Sequence, residues 1–302
     1  MRKALWLIPI AALFLREPLS DFAAETVKFR YLTAVYFDDK GQGLKSPEGV
    51  ACHNSTEFLV ADTGNDRLLR FQFADKAVKG GQEIRVSQLT APVRVQMNSK
   101  GEIYALDGKQ RRIVHLSPEG EFKDFLSFDS APPPANVVPR SIKIDPADNI
   151  YVLDIFSARV LVLNSEGKFQ KAIAFPDDAG SMADLALDFA GNVLLLDATK
   201  RRVYTAPKGG STFAPLGGDL TESLSTLPTY ITAIKGTIFI AEGRGSSIVS
   251  LGQDGSFLAR QLTMGWNEGQ LNYPSQMCIN DKDEAFIADR DNSRVQIFNL
   301  VR

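Results

Sequence analysis

The sequence predicts an all-β fold, a six-bladed β-propeller with four antiparallel strands per blade. Three observations predict it. A short apolar run closed by an acid recurs at Asp62, Asp107, Asp154, Asp197, Glu242 and Asp289, at intervals of 43 to 47 residues. A proline stands 15 residues ahead of four of these acids, at Pro47, Pro92, Pro139 and Pro274, and 14 ahead of Glu242, at Pro228; Met182 takes the place before Asp197. After each proline, apolar residues alternate by two, which is the period of a strand. Four strand-length segments per unit at this spacing match a propeller blade; an open solenoid would need polar capping ends instead.

The elements follow in chain order. Residues 1–24 read as an export signal or membrane tether. Arg2 and Lys3 precede the apolar run Ala4 to Leu15, which is short for a bilayer span, and Ala23 and Ala24 follow it. Arg16, Glu17 and Pro18 break that run early. The expected location is therefore periplasmic or extracellular, membrane-tethered where the segment is retained. Residues 26–302 form the propeller. Its last unit stops at Phe298 to Arg302, after a third strand, and Val27 to Val35 supplies the missing fourth. That pairing closes the ring and removes two exposed sheet edges. The loop Gly41-Gln42-Gly43-Leu44 before Pro47 parallels Glu268-Gly269-Gln270-Leu271 before Pro274, as closure requires. Within the units, Pro118-Glu119-Gly120, Ser165-Glu166-Gly167 and Asp254-Gly255 mark hairpins, with glycine suited to the positive φ of such turns.

Two segments carry a resemblance. Pro47 to Ala51 with Val60-Ala61-Asp62-Thr63-Gly64-Asn65-Asp66-Arg67-Leu68, and Tyr273-Pro274 with Ile287-Ala288-Asp289-Arg290-Asp291-Asn292-Ser293-Arg294-Val295-Gln296-Ile297-Phe298, resemble NHL repeats. The resemblance extends over about residues 26–302. It implies the fold and leaves function open, because such propellers serve as protein-binding, RNA-binding, sensor and enzyme domains.

Composition narrows the classes. Net charge is −2, with two histidines and two cysteines, which argues against bulk nucleic-acid attraction and against a Cys/His zinc module. His53 and His115 fall in different units. Cys52 and Cys278 lie on first strands that closure makes neighbours, but their alternation differs by one and stacked sheets stand about 10 Å apart. They read as buried free thiols, although export allows a bridge. Ala131-Pro132-Pro133-Pro134 reads as a surface loop.

The acid of the second strand is followed five residues later by arginine in five units: Asp62–Arg67, Asp107–Arg112, Asp154–Arg159, Asp197–Arg202 and Asp289–Arg294. A pair repeated this often reads as structural bracing, an ion pair across the loop. Function is then sought in what varies. The loops between acid and arginine share one face and together carry a formal +4. Lys109, Arg111, Phe156, Lys200, Arg201, Arg244 and Arg290 are the candidate binding residues, for a protein, peptide or glycan with acidic groups. Glu48, Arg94, Arg140, Asp184, Tyr230 and Gln276 are placed at the channel mouth. No catalytic residue is assigned, no cofactor is expected, and no nucleic-acid partner is indicated. The rival reading is a calcium-dependent, lactonase-like hydrolase with its metal in the channel. Oligomeric state is not legible.

Overall fold

The computed structural model describes residues 26–134 and 136–302; the predicted signal or tether at 1–24 lies outside the described residues. Among them no helix is long and apolar enough to cross a membrane.

The first strand, β1 (Lys28–Val35), belongs to the last blade. Blade 1 contains β2 (Gly49–His53), β3 (Glu57–Asp62), β4 (Arg67–Ala74) and β5 (Ala77–Ile84). Blade 2 contains β6 (Pro92–Met97), β7 (Ile103–Asp107), β8 (Arg112–Leu116) and β9 (Phe122–Phe125). Blade 3 contains β10 (Pro139–Ile144), β11 (Ile150–Asp154), β12 (Arg159–Leu163) and β13 (Phe169–Ala174). Blade 4 contains β14 (Met182–Leu187), β15 (Val193–Asp197), β16 (Arg202–Ala206) and β17 (Ala214–Leu216). Blade 5 contains β18 (Tyr230–Ile234), β19 (Thr237–Glu242), β20 (Ser247–Gly252) and β21 (Phe257–Gln261). Blade 6 contains β22 (Pro274–Ile279), β23 (Glu284–Asp289) and β24 (Arg294–Val301). Each sheet is a meander of neighbouring antiparallel strands.

Ring closure takes the predicted form. β1 runs antiparallel to β24, with Tyr31 opposite Phe298 and Thr33 opposite Ile297. The burial pattern explains why the middle strands read as nearly continuous apolar runs: β7, β11 and β15 are buried at every position. A blade's two faces both pack against neighbouring blades, so both parities of side chain leave water.

The core is accordingly divided into six clusters, one in each gap between blades. The gap that closure creates is rich in phenylalanine. Phe58 of blade 1 lies 4.6 Å from Phe286 of blade 6, between ring centroids, and stacks on Phe71 at 5.2 Å. Such pairs add roughly 0.5–1.5 kcal/mol beyond the area they bury.

Candidate functional site

The acid–arginine positions set the geometry of one face. In blade 1, Asp62 accepts hydrogen bonds from the Lys45 amide (2.7 Å), Asn65 Nδ2 (2.8 Å) and Arg67 Nε (2.8 Å). The Arg67 guanidinium is fully buried and also reaches Asp38 (2.6 Å) and Glu83 (3.2 Å). Asp154–Arg159 (3.1 Å) and Asp289–Arg294 (2.7 Å) are paired in the same way. Arg159 also donates to the carbonyls of Pro132 (2.9 Å) and Pro134 (2.8 Å), which ties the proline loop to blade 3.

The expected pairs of blades 2 and 4 are not formed. Both Asp107 oxygens are already occupied, by Thr90 N and Oγ1 on one and the Lys109 and Gln110 amides on the other. Arg112 turns instead to the Gln88 carbonyl (2.9 Å) and lies 4.0 Å over the Phe125 ring. Asp197 takes the amides of Gly180 (2.6 Å) and Lys200 (3.0 Å). Arg112 and Arg202 are half-buried, whereas the paired arginines are buried, and the Nε of each has no hydrogen-bond partner among the described residues. Blade 5 restores the pair by another route: Ser247 Oγ donates to Glu242 at 2.8 Å, and Arg260 from β21 meets it at 2.8 Å.

The loop rim separates engaged from unengaged cations. Lys109 stands 3.8 Å from Asp66, Lys200 pairs with Asp178 at 2.7 Å, and Arg290 meets Glu48 at 3.3 Å while lying 4.7 Å over Tyr273. Arg201 donates to the Thr221 carbonyl (3.2 Å). Arg111, Arg140 and Arg244 are exposed. Between blades 3 and 4 a groove of about 730 Å³ is lined by Arg140, Ile155, Phe175, Asp177 and Met182. Ile155 is 41% exposed and its neighbour Phe156 58%. The structure thus gathers Arg140, Ile155 and Phe175 in one place and leaves the other rim cations dispersed around the ring.

The channel residues need a correction. Glu48 and Arg140 stand at the mouth, but Arg94, Asp184, Tyr230 and Gln276 are buried inside it. They lie one residue further down their strands, where each β2-type strand has already entered the ring. Gln276 crosses above Gly49 and donates to the Val95 carbonyl (3.1 Å). A Cβ at Gly49 would meet Ala61 Cβ at 2.8 Å and Gln276 Oε1 at 3.2 Å, so glycine there makes room for the crossing. Asp184 accepts from the Ile231 amide (3.0 Å). Tyr230 donates to the Met277 carbonyl (2.6 Å) and accepts from Lys143 Nζ (2.7 Å). Lys143 also lies 4.2 Å from the centre of that ring and Arg94 5.7 Å. Arg94 Nε, Ser141 Oγ, Asp184 Oδ1 and Gln276 Oε1 have no hydrogen-bond partner among the described residues.

Below Tyr230 a cavity of about 210 Å³ opens to the opposite face. Lys143 and Gln96 provide polar groups there, and Ile144, Leu187 and Ile279 line its wall. So do Cys52 and Cys278, which are joined by a disulfide with Cα atoms 5.7 Å apart, not free thiols. Inner strands converge toward the axis, so the spacing of stacked sheets does not apply at their ends. Lys143 is the residue that sequence reasoning missed; its place two residues after Ser141, at the channel-facing parity, was the available signal. His53 and His115 remain on separate blades. His115 stacks on Tyr104 at 4.3 Å and lies 3.1 Å from Asp124 in an outer cleft of blade 2.

A calcium ion fits the channel poorly. Of the acids considered for it, Glu48 is paired with Arg290, and Asp184 shares the channel with two buried cations, Arg94 and Lys143.

Fold and channel together define a closed six-bladed β-propeller. Residues 271–298 match the family model "NHL repeat", and the chain is an NHL-repeat propeller. No curated protein matches it significantly in sequence. Among solved structures, it is similar to virginiamycin B lyase from Staphylococcus aureus (12% identity, TM-score 0.61, covering 91% of this chain and 100% of that one). It is similar to a putative gluconolactonase (14%, TM-score 0.63, 91% and 94%). It is also similar to a chain of a nidogen/laminin complex (16%, TM-score 0.58, 78% and 92%). At these identities the likeness is one of fold.

Proposed function

We propose that this protein is an exported binding propeller whose loop rim holds a protein or peptide partner bearing acidic and apolar side chains. The observation that carries this reading is the groove between blades 3 and 4, where exposed Ile155 and half-buried Phe175 line the same wall as exposed Arg140, with exposed Phe156 next along the chain. An aromatic anchor beside a guanidinium is the composition of an interface hot spot. The braces at Asp62–Arg67, Asp154–Arg159 and Asp289–Arg294 hold the rim loops in place, so little conformational freedom is lost on binding. The aliphatic wall favours a peptide segment over a glycan. The Cys52–Cys278 bridge suits an oxidising compartment and supports the periplasmic or extracellular location. The hydrolase reading is the weaker one, because it needs a cation beside Arg94 and Lys143.

The test is a peptide array containing acidic–aliphatic sequences, probed with the wild-type protein, Arg140→Glu, and Phe189→Asp on the opposite face. Binding by the wild type and by Phe189→Asp, with loss in Arg140→Glu, supports the rim. Equal binding by all three removes it.

A further inference from the structure

Among the described residues no carboxylate forms an ion pair with the buried ammonium of Lys143 in the channel. Lys143 is only 7% exposed; among the described residues its ammonium has one hydrogen-bond partner, the Tyr230 hydroxyl, and no acid lines the cavity below it. An ammonium buried this way is strongly unfavourable without a counter-charge. Arg94, 5.7 Å from the centre of the Tyr230 ring, adds a second buried positive charge, and Asp184 is the one buried acid on the inner strands among the described residues. The channel therefore carries an excess positive charge at its middle.

The cavity is graded along its depth. Lys143, Tyr230, Gln96 and Thr232 lie at the inner end, whereas Ile144, Leu187 and Ile279 stand one residue nearer the opening. Ile144 and Leu187 also border a shallow hollow of about 460 Å³ on that face, together with Ile234 and Phe189. Phe189 is 68% exposed. The acids of that hollow, Asp145 and Asp188, accept hydrogen bonds within their own turns, so positive charge at the inner end, apolar walls and a largely apolar doorstep are the complement of an amphipathic acid.

We propose that this cavity binds a small organic carboxylate with an apolar tail. Its carboxylate meets Lys143 Nζ under Tyr230, and its tail runs outward past Ile144 and Leu187 toward Phe189. The site opens on the face opposite the rim, so it is independent of the peptide-binding reading.

The experiment is titration calorimetry with octanoate, phenylacetate, acetate and 1-octanol as probes, paired with thermal unfolding in each. Octanoate or phenylacetate binds the wild type and raises Tm by about 2–5 °C at saturating concentration. Acetate, lacking the tail, and 1-octanol, lacking the charge, each bind at least about tenfold more weakly. Lys143→Met lowers octanoate affinity by at least about tenfold and, having lost an unpaired buried charge, unfolds no earlier than the wild type without ligand. If that variant does not fold, Lys143→Gln serves the same comparison. Lys79→Ala, on the outer strand β5, binds as the wild type does. The proposal is overturned if neither acid binds, if the Lys143 variants bind octanoate unchanged, or if 1-octanol binds as tightly.

Discussion

Replacing Arg67 by alanine removes a cation shared by three carboxylates where the ring closes. Asp62 and Asp38 have side chains 0% and 1% exposed and lie 2.8 and 2.6 Å from the guanidinium; Glu83 is 22% exposed and 3.2 Å away. Without Arg67 two buried carboxylates lose their counter-charge, while the more exposed Glu83 regains water. Breaking a buried pair by deleting one partner costs roughly 3–5 kcal/mol, against roughly 0–1 kcal/mol for an exposed pair. Arg202→Ala, at the equivalent place in blade 4, removes a half-buried arginine with no carboxylate partner and should cost about 1 kcal/mol or less. For domains of this size roughly 2–4 °C accompanies each kcal/mol, so Arg67→Ala should lower Tm by about 6–20 °C and Arg202→Ala by under about 4 °C. Differential scanning calorimetry of the two variants at neutral pH gives the comparison. Equal losses would refute the distinction drawn between paired and unpaired blades.

The remaining predictions concern the same framework. Without reductant neither cysteine is alkylated and the intact mass is that of the bridged chain; Cys52→Ser lowers stability by about 2–5 kcal/mol because the bridge links residues 226 apart. Alkylation of the unreduced protein would contradict this. Acid should destabilise the fold. Burial by itself raises the Asp38 carboxyl, but the Gln42 amide, Arg67 and the Lys40 amide outweigh it and hold its pKa below the ordinary value. Asp107 is held low in the same sense by the amides of Gln110 and Thr90 acting against burial. A lowered folded-state pKa gives stability that is full above the unfolded value, near pH 4, and lost as pH falls through the lower folded one. Tm should therefore drop below about pH 4, less steeply in Arg67→Ala; a flat profile would speak against it. Gly49→Ala should cost about 1–3 kcal/mol by forcing a Cβ against Ala61 and Gln276, measured as a shift in urea midpoint.

The blades were legible because each repeats one demand: an apolar strand pair, a turn, and an acid that gathers loop amides. The closure was legible for the same reason, since the strand missing after Phe298 is present before Pro47. What escaped depends on approach between blades. The Cys52–Cys278 bridge and the Lys143–Tyr230 contact join residues on different blades near the axis, and no within-blade period encodes that distance. The failed pairs at Arg112 and Arg202 turn on where each guanidinium points, which five similar repeats conceal. At the rim, loop charge alone placed Lys109, Lys200 and Arg290 on an equal footing with Arg111 and Arg244; the acids facing them, Asp66, Asp178 and Glu48, come from neighbouring loops.

The rim as the working surface is tested most directly by affinity capture from the cell envelope with three baits: the wild type, Arg140→Glu with Phe156→Asp, and Phe189→Asp. Proteins retained by the first and third baits and lost from the second are the predicted outcome. Retention by all three, or loss only from Phe189→Asp, would place recognition elsewhere on the ring.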